Sequence, residues 1–264
     1  MKRITAIATT ALFLWAVPMA TAGGNREAVY STEGVLPNSG APVSIEITPG
    51  EHYDHKMRIL PLIRITNNPQ MAIWAETEEG EFIATLFVTE RVATQSWRKA
   101  PGDDTPKDAI RRPEALPIWS HRSGESPAAS AGAASDAAPA ADAVTGATPA
   151  ASFTVHSRLP QREEPIVVYL EVNMSTDFNE AYPADAREES VAYSGGPWGS
   201  GQPALIYRAT LPGDAEGLEE PVRFELVGHS SPDGSDGVIY DRLDGVTTAR
   251  DILAEAWVYP ETVL

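Results

Sequence analysis

Alternating apolar and polar residues predict several short β-strands in the first half of the chain. The alternation is clear at 43–47 and again at 57–66, where Pro61 indicates an edge strand or a bulge because proline cannot donate to a strand ladder. Two apolar runs then flank Glu78-Glu79-Gly80, a pattern that is typical of a β-hairpin whose glycine takes a positive φ. The first half therefore favours antiparallel strands joined by tight turns.

The second half continues in the same way and ends with a short helix. Further strands are predicted at 152–158, 165–173, 204–211 and 222–230. Thr248 is followed three residues later by Asp251, which is a capping-box pattern and predicts a short helix near the C-terminus. Residues 256–264 then predict a last strand.

Two segments of unusual composition separate the halves. Residues 96–124 are rich in proline and charge, and predict a long ordered excursion with a short helix around 107–111. Residues 125–141 are nearly all Ala, Ser, Pro, Gly and Asp, a composition that cannot bury enough apolar area to offset the entropy of ordering. We therefore expect a flexible inserted loop at about 124–148.

Together these elements predict an all-β protein. The expected fold is a single antiparallel β-sandwich, immunoglobulin-like or related, over 23–264, with one long inserted loop and a short C-terminal helix. Neither half alone supplies enough strands to close a sandwich, so we expect one domain rather than two.

The first 22 residues have the pattern of a secretory signal peptide. Lys2 and Arg3 precede an apolar stretch, and Ala20-Thr21-Ala22 is a small-residue cleavage site, so cleavage is expected near Ala22. No other stretch approaches the length of a membrane-spanning helix. We therefore expect an exported, periplasmic protein that is not membrane-spanning.

The net charge disfavours some classes of partner, and the lack of cysteine excludes disulfide bonds. The formal net charge of −17 disfavours nucleic acid and anionic lipid as partners, because both are polyanions. The sequence has no cysteine, so the fold must be stabilised by its hydrophobic core without disulfides.

The stretch DAVTGATP at 142–149 suggests a site of covalent cofactor attachment. It resembles the Asp-x-x-(Ser/Thr)-Gly-Ala-Thr motif on which bacterial flavin transferases act. In flavin-binding subunits of sodium-pumping quinone reductases the last Thr of that motif carries FMN through a phosphoester. The resemblance implies Thr148 as the FMN carrier, with Asp142, Thr145 and Gly146 as recognition positions. A plain alternative is a Thr-Gly turn that leads into the next strand.

A wider resemblance covers about 51–258. The blocks QMAIWAETEEGEFIATLFVTE, RRPEALPIWSHRSG, VNMSTDFNE, SGQPALIY and GHSSPDG look like an exported bacterial family of unknown function. Its members are often encoded near flavin-transfer and electron-transfer proteins. The resemblance implies a β-sandwich and, as partners, a flavin transferase and redox proteins of the cell envelope. No activity is established for this family, so the resemblance implies none in particular.

Other candidates for chemistry are weaker. His52 and His55 have a His-x-x-His spacing, but residues three apart on a strand point to opposite faces, so a shared metal would need a turn here. No nucleophile-elbow, phosphate-loop or dinucleotide-binding motif is present, which favours a carrier or binding protein over an enzyme. The competing class is a cofactor-free periplasmic module that binds a partner protein or ligand.

Overall fold

The computed structural model describes residues 28–31, 40–60, 63–99, 104–124, 144–213 and 218–261. Its strands are β1 (Ala28–Ser31), β2 (Ala41–Pro49), β3 (His55–Leu60), β4 (Ile63–Asn67), β5 (Gln70–Thr77), β6 (Phe82–Thr89), β7 (Val144–Gly146), β8 (Phe153–Leu159), β9 (Ile166–Asn173), β10 (Leu205–Leu211), β11 (Val222–Arg223), β12 (Glu225–His229) and β13 (Leu253–Pro260). Two short α-helices are α1 (Glu90–Ala93) and α2 (Pro117–Arg122), and short 3₁₀ turns lie at Lys107–Ala109, Gly196–Trp198 and Thr248–Asp251. The all-β class predicted from the sequence is confirmed.

The strands form two large sheets and one hairpin. One sheet has five strands in the order β1-β8-β2-β13-β11, and the other has six in the order β12-β10-β9-β5-β6-β7. The hairpin pairs β3 with β4. Pairing is antiparallel within both sheets except at two edges, where β1 runs parallel to β8 and β7 runs parallel to β6.

A shared apolar layer joins the two large sheets. Val43, Ile45 and Ile47 of β2 belong to the same buried cluster as strands β5, β6, β9 and β10 of the six-stranded sheet. Across this layer the rings of Phe87 and Phe153 lie 5.7 Å apart. Burial of this layer is the main stabilising term in a chain that has no disulfide.

A second apolar cluster covers the opposite face of the six-stranded sheet. Alternate residues of β5 belong to the two clusters: Ile73 packs between the two large sheets, and Trp74 packs against the excursion at 96–124. The excursion contributes Trp97, Ile118 and Trp119 to this outer cluster. Every residue of β5 is therefore buried, which explains its nearly continuous apolar sequence.

Several local predictions are confirmed and two strand predictions need correction. The hairpin of β5 and β6 forms as expected, and Gly80 has a φ of 86° in its turn. The single strand predicted at 57–66 is instead the paired strands β3 and β4. The strand predicted at 222–230 divides at Phe224, so that β11 joins the five-stranded sheet and β12 the six-stranded sheet.

Helical turns occur at both predicted positions, but each is a 3₁₀ turn rather than an α-helix. The segment around 107–111 contains only a 3₁₀ turn, and neither α1 nor α2 was predicted. The C-terminal helix is a 3₁₀ turn that follows Thr247, without a side-chain cap. The capping-box interpretation is wrong, because the hydroxyl of Thr248 donates to Asp177 instead.

The inserted loop is described only at its end. Residues 144–148, which we expected to belong to a flexible loop, include the edge strand β7, paired through Val144–Gly146 to residues 87–89. The signal peptide predicted at 1–22 and residues 125–143, which include Asp142, lie outside the described residues. Across the described ranges, no helix is long and apolar enough to cross a membrane.

Candidate functional site

Thr148 lies just after β7, at one end of the six-stranded sheet. Its side chain is partly buried, and its hydroxyl donates a hydrogen bond of 2.7 Å to the carbonyl of Pro69. Its own carbonyl accepts a longer bond of 3.4 Å from the amide of Asn68. The turn that leads into β5 therefore holds Thr148 in place.

The neighbours of Thr148 combine a fixed backbone with open surroundings. Pro149 is buried, and its carbonyl accepts a hydrogen bond of 2.8 Å from the buried hydroxyl of Tyr53. Ala147 and Ala150 on either side are exposed and carry only methyl groups. Tyr53 thus holds the backbone of this segment on its buried side, and the exposed side of the segment has no bulky side chain at Ala147 or Ala150.

The remaining motif positions are only partly visible. Thr145 pairs with Val88 and Gly146 pairs with Thr89, in the parallel ladder between β7 and β6. Asp142 lies beyond the described part of the chain. The structure therefore brings Thr145, Gly146 and Thr148 onto one sheet edge, with Thr148 at its end.

The residues around Thr148 fit an esterified FMN if the side chain of Thr148 turns. An ester oxygen carries no proton, so it cannot donate to the carbonyl of Pro69 as the free hydroxyl does. Phosphate oxygens facing that carbonyl would repel it. Rotation about χ1 of Thr148 would take the oxygen away from the carbonyl of Pro69, and the exposed neighbours Ala147 and Ala150 add no more bulk than a methyl group each.

A polar cluster centred on Asp177 lies at the same end of the molecule. The carboxylate of Asp177 accepts hydrogen bonds from Thr248 Oγ1 at 2.7 Å and from Gln202 Nε2 at 2.8 Å. His52 Nε2 lies 3.1 Å from the oxygen that Thr248 contacts. Asp177 is almost fully buried, so these partners replace the water that its charge would otherwise require.

The backbone around Asp177 is tightly constrained. Thr176 has a φ of 61°, a left-handed conformation that is rare for a β-branched residue. Gly201 has a φ of 81°, and a Cβ at this position would lie 2.5 Å from the carbonyl carbon and oxygen of Asp177. The main chains of 177 and 201 also form a parallel bridge. This close contact fixes the direction of the Asp177 carboxylate.

One histidine of the His-x-x-His pattern, His52, contacts Asp177. Its ring lies 5.1 Å from the ring of His55, the first residue of β3. Burial and the nearby His52 lower the pKa of His55, while Asp177 acts in the opposite direction. Among the described residues no group of three or more His, Asp or Glu side chains is arranged to hold a metal ion.

Tyr53 connects this cluster to the motif. It follows His52 directly in sequence, and its hydroxyl reaches the residue after Thr148. The sequence places His52 in a His-x-x-His pattern and Thr248 in a capping-box pattern, but neither pattern points to Asp177, because the members of the cluster are far apart along the chain. His52 and Asp177 alone are separated by 125 positions.

Ser44, His156 and Glu261 form a second polar group, on the five-stranded sheet. Ser44 Oγ lies 3.1 Å from His156 Nδ1, and Glu261 Oε1 contacts both of them. A nucleophilic serine relay needs the serine and the carboxylate on different ring nitrogens. Here both meet Nδ1, so the group does not have the geometry of a catalytic triad.

A buried carboxylate holds the excursion on the six-stranded sheet. Glu171 of β9 accepts hydrogen bonds from the backbone N–H groups of Ile118 at 3.1 Å and Trp119 at 2.8 Å. Burial raises the pKa of Glu171 to about 8, although the two backbone donors act in the opposite direction. Glu171 lies three strands away from β7 in the six-stranded sheet, and its two hydrogen bonds serve the attachment of α2.

Comparison with known proteins returned nothing similar: no family model, curated protein or solved structure matches the chain.

Proposed function

We propose that this chain is a periplasmic carrier or accessory protein in flavin-linked electron transfer, with FMN esterified to Thr148. The observation that supports the proposal most is the setting of Thr148, on a clamped segment between the exposed residues Ala147 and Ala150. A transferase needs access to the hydroxyl, and an electron carrier needs its cofactor near the surface. We propose an immunoglobulin-like or related β-sandwich as the fold type.

Each residue near Thr148 has a defined part in this proposal. Tyr53 holds the backbone at Pro149, so that an attached group keeps a fixed position relative to the sheet. Pro69 accepts the hydroxyl proton of the unmodified side chain and loses this bond when the ester forms. When bound, FMN supplies one- and two-electron redox chemistry. Its partners would be a flavin transferase and redox proteins of the cell envelope.

Intact mass of the exported protein, co-expressed with an active flavin transferase, tests the proposal. We expect a gain of roughly 440 Da, one FMN less one water, that Thr148→Ala abolishes. Thr210→Ala changes an exposed threonine of β10 and should keep the full gain. An unmodified wild-type mass, with the transferase shown to act on another substrate, would contradict the proposal.

A second candidate is a cofactor-free module that binds a partner protein or ligand. It is favoured by the 2.7 Å bond between Thr148 and Pro69, because the unmodified hydroxyl already has a structural partner. In that case Thr148→Ala lowers the free energy of unfolding by about 1 kcal/mol through the lost hydrogen bond. The intact mass then differs from that of the wild type only by the substitution itself. The same mass measurement therefore separates the two candidates.

A further inference from the structure

A cleft opens where one strand passes from the five-stranded to the six-stranded sheet. β11 pairs with β13, and the ladder ends where the N–H of Phe224 donates to the carbonyl of Ala256 at 3.0 Å. The chain then continues as β12 beside β10. The strands β12 and β13 diverge from this point, and the space between them has a volume of about 380 Å³.

Irregularities in both sheets lie beside the opening. The register of β10 against β12 shifts between Ile206 and Tyr207, and that of β13 against β2 shifts between Leu253 and Glu255. Both shifts involve residues that line the cleft. Such bulges bend a strand away from its neighbour and occur often beside binding sites. The cleft is therefore a built feature of both sheets rather than a gap in side-chain packing.

The inner wall of the cleft is apolar, and charged residues line the rest of it. Its wall and floor include the side chains of Phe224, Leu226, Leu253 and Ala256, all of which pack into or against the layer between the sheets. Ala254 lines the mouth and is exposed. The volume lies within the range of small-molecule sites in proteins, about 300–1,000 Å³.

Three charged residues line the cleft: Arg223 and Glu255, which contact Trp257 of β13, and the exposed Glu225 of β12. The guanidinium of Arg223 lies 5.8 Å from the ring centre of Trp257. The carboxylate of Glu255 accepts a hydrogen bond of 3.1 Å from the indole N–H of the same tryptophan. Trp257 therefore holds the head groups of Arg223 and Glu255, while Glu225 adds a second negative charge to the lining.

Tyr207 supplies an uncommitted hydrogen-bonding group in the cleft. Its hydroxyl forms no hydrogen bond with any described residue. Ser157 Oγ is the only buried side-chain atom without a partner in the described ranges, so the Tyr207 hydroxyl is not sealed from solvent. Burial and the negative charge of Asp251 raise the pKa of Tyr207 to about 12, against the effect of Arg250. The hydroxyl is neutral at ordinary pH and both donates and accepts.

The environment of Tyr207 also determines which ligand charge the cleft can accommodate. Loss of water and the repulsion by Asp251, which disfavour a phenolate at Tyr207, also disfavour a carboxylate or sulfonate bound beside it. The carboxylates of Glu225 and Glu255, which line the cleft, repel an anion in the same way, and the apolar inner wall disfavours a buried charge of either sign. We propose that this cleft binds an uncharged, mainly aromatic or aliphatic small molecule that forms one hydrogen bond with Tyr207. The proposal holds whether or not Thr148 carries FMN.

A matched pair of fluorescent probes tests the ligand class on the full chain. N-phenyl-1-naphthylamine is neutral, and 1-anilinonaphthalene-8-sulfonate has the same rings with an added negative charge. We expect saturable fluorescence enhancement with the neutral probe and at least tenfold weaker binding of the sulfonate. Absence of enhancement with the neutral probe, or equal affinity for both, would overturn the proposal.

Variants then locate the binding. Ala254→Trp places an indole in the mouth from an exposed position and should weaken binding of the neutral probe at least tenfold. The control Val191→Trp adds the same side chain at a residue that is 94 % exposed and does not line the cleft. It should bind as the wild type does. Unchanged affinity in folded Ala254→Trp would overturn the location.

Tyr207→Phe gives an independent test that does not depend on the folding of Ala254→Trp. It retains the ring and removes only the hydroxyl, so we expect affinity for the neutral probe to fall about three- to tenfold, the effect of one lost hydrogen bond. An affinity equal to that of the wild type would remove Tyr207 from the site and contradict the proposed hydrogen bond.

Discussion

The chemistry of single residues here depends on backbone contacts as much as on side chains. Asp177 can collect its three polar partners because Gly201 lets two main chains approach closely. Thr148 is presented at a fixed place because Tyr53 holds the next residue. In both cases a neighbouring residue, Gly201 or Tyr53, determines the position of the side chain of Asp177 or Thr148.

Two glycines with nearly equal φ provide a test of the contact at Asp177. Gly201 and Gly124 have φ values of 81° and 79°, but a Cβ at Gly124 meets no atom within 4 Å, whereas one at Gly201 meets backbone at 2.5 Å. We expect Gly201→Ala to lower the free energy of unfolding by about 2–4 kcal/mol. Gly124→Ala should lower it by only about 1 kcal/mol, the cost of the left-handed conformation.

Denaturant unfolding of the two glycine variants measures this difference. Equal losses in the two variants would mean that the backbone at 201 can move away from Asp177 at little cost, and that the cluster is not rigid.

At the scale of elements, buried carboxylates attach the excursion to the sheet. Glu171 satisfies two backbone donors at the start of α2, and Glu76 of β5 accepts a hydrogen bond of 3.5 Å from the guanidinium of Arg122 at the end of α2. Burial raises the pKa of both carboxyl groups. This arrangement makes the attachment of the excursion sensitive to pH.

The pH dependence follows from the sign of the Glu171 shift. Its folded-state pKa of about 8 lies above the ordinary carboxyl value of 4.5, so the folded state binds the proton more tightly. The stabilisation is fully present below pH 4.5 and is lost as the pH rises toward 8. We therefore expect the wild-type melting temperature to fall between pH 5 and 9, by several degrees relative to Glu171→Gln.

Thermal melting of wild type, Glu171→Gln and Glu163→Gln across that range checks the assignment. Glu163 is exposed, so its variant should follow the wild-type curve. Glu114, whose pKa burial raises to about 7, is present in all three proteins and cancels in the comparison. Parallel curves for wild type and Glu171→Gln would contradict the assignment.

At the scale of the whole molecule, the six-stranded sheet couples two apolar layers. Its β5 is buried on both faces and sends alternate side chains into the layer between the sheets and into the outer cluster. Loss of packing on one face therefore removes support from the other. We expect the two layers to unfold together.

Phe153→Ala tests this coupling from the layer between the sheets. Truncation of this fully buried ring, which packs against Phe87, should lower the free energy of unfolding by about 3–5 kcal/mol. In a background with Trp198→Phe and Trp257→Phe, the fluorescence of Trp74, Trp97 and Trp119 reports on the outer cluster, while far-ultraviolet circular dichroism reports on the strands. Both signals should shift to the same lower midpoint.

The exposed Val191→Ala serves as the control for Phe153→Ala, with an expected change within about 0.5 kcal/mol. Separate midpoints for fluorescence and circular dichroism in Phe153→Ala would show that the outer cluster is an independent layer.

The sequence by itself determined the features that depend on neighbouring residues. The hairpin of β5 and β6 follows from two apolar runs and Gly80, and most strands follow from local alternation, because a strand's exposed and buried faces repeat every two residues. The absence of cysteine likewise requires stabilisation by a core alone. The motif at 142–148 and the signal-peptide pattern are also local.

Only the tertiary structure decided which distant residues meet. It divided the run at 222–230 between two sheets and so created the cleft at Phe224. It also brought His52, Gln202 and Thr248 to Asp177, and it used Thr248 as a hydrogen-bond donor where local sequence predicted a helix cap. The physical reason is that a buried carboxylate is stabilised by whichever donors the packed chain brings near it, and sequence spacing does not record that distance.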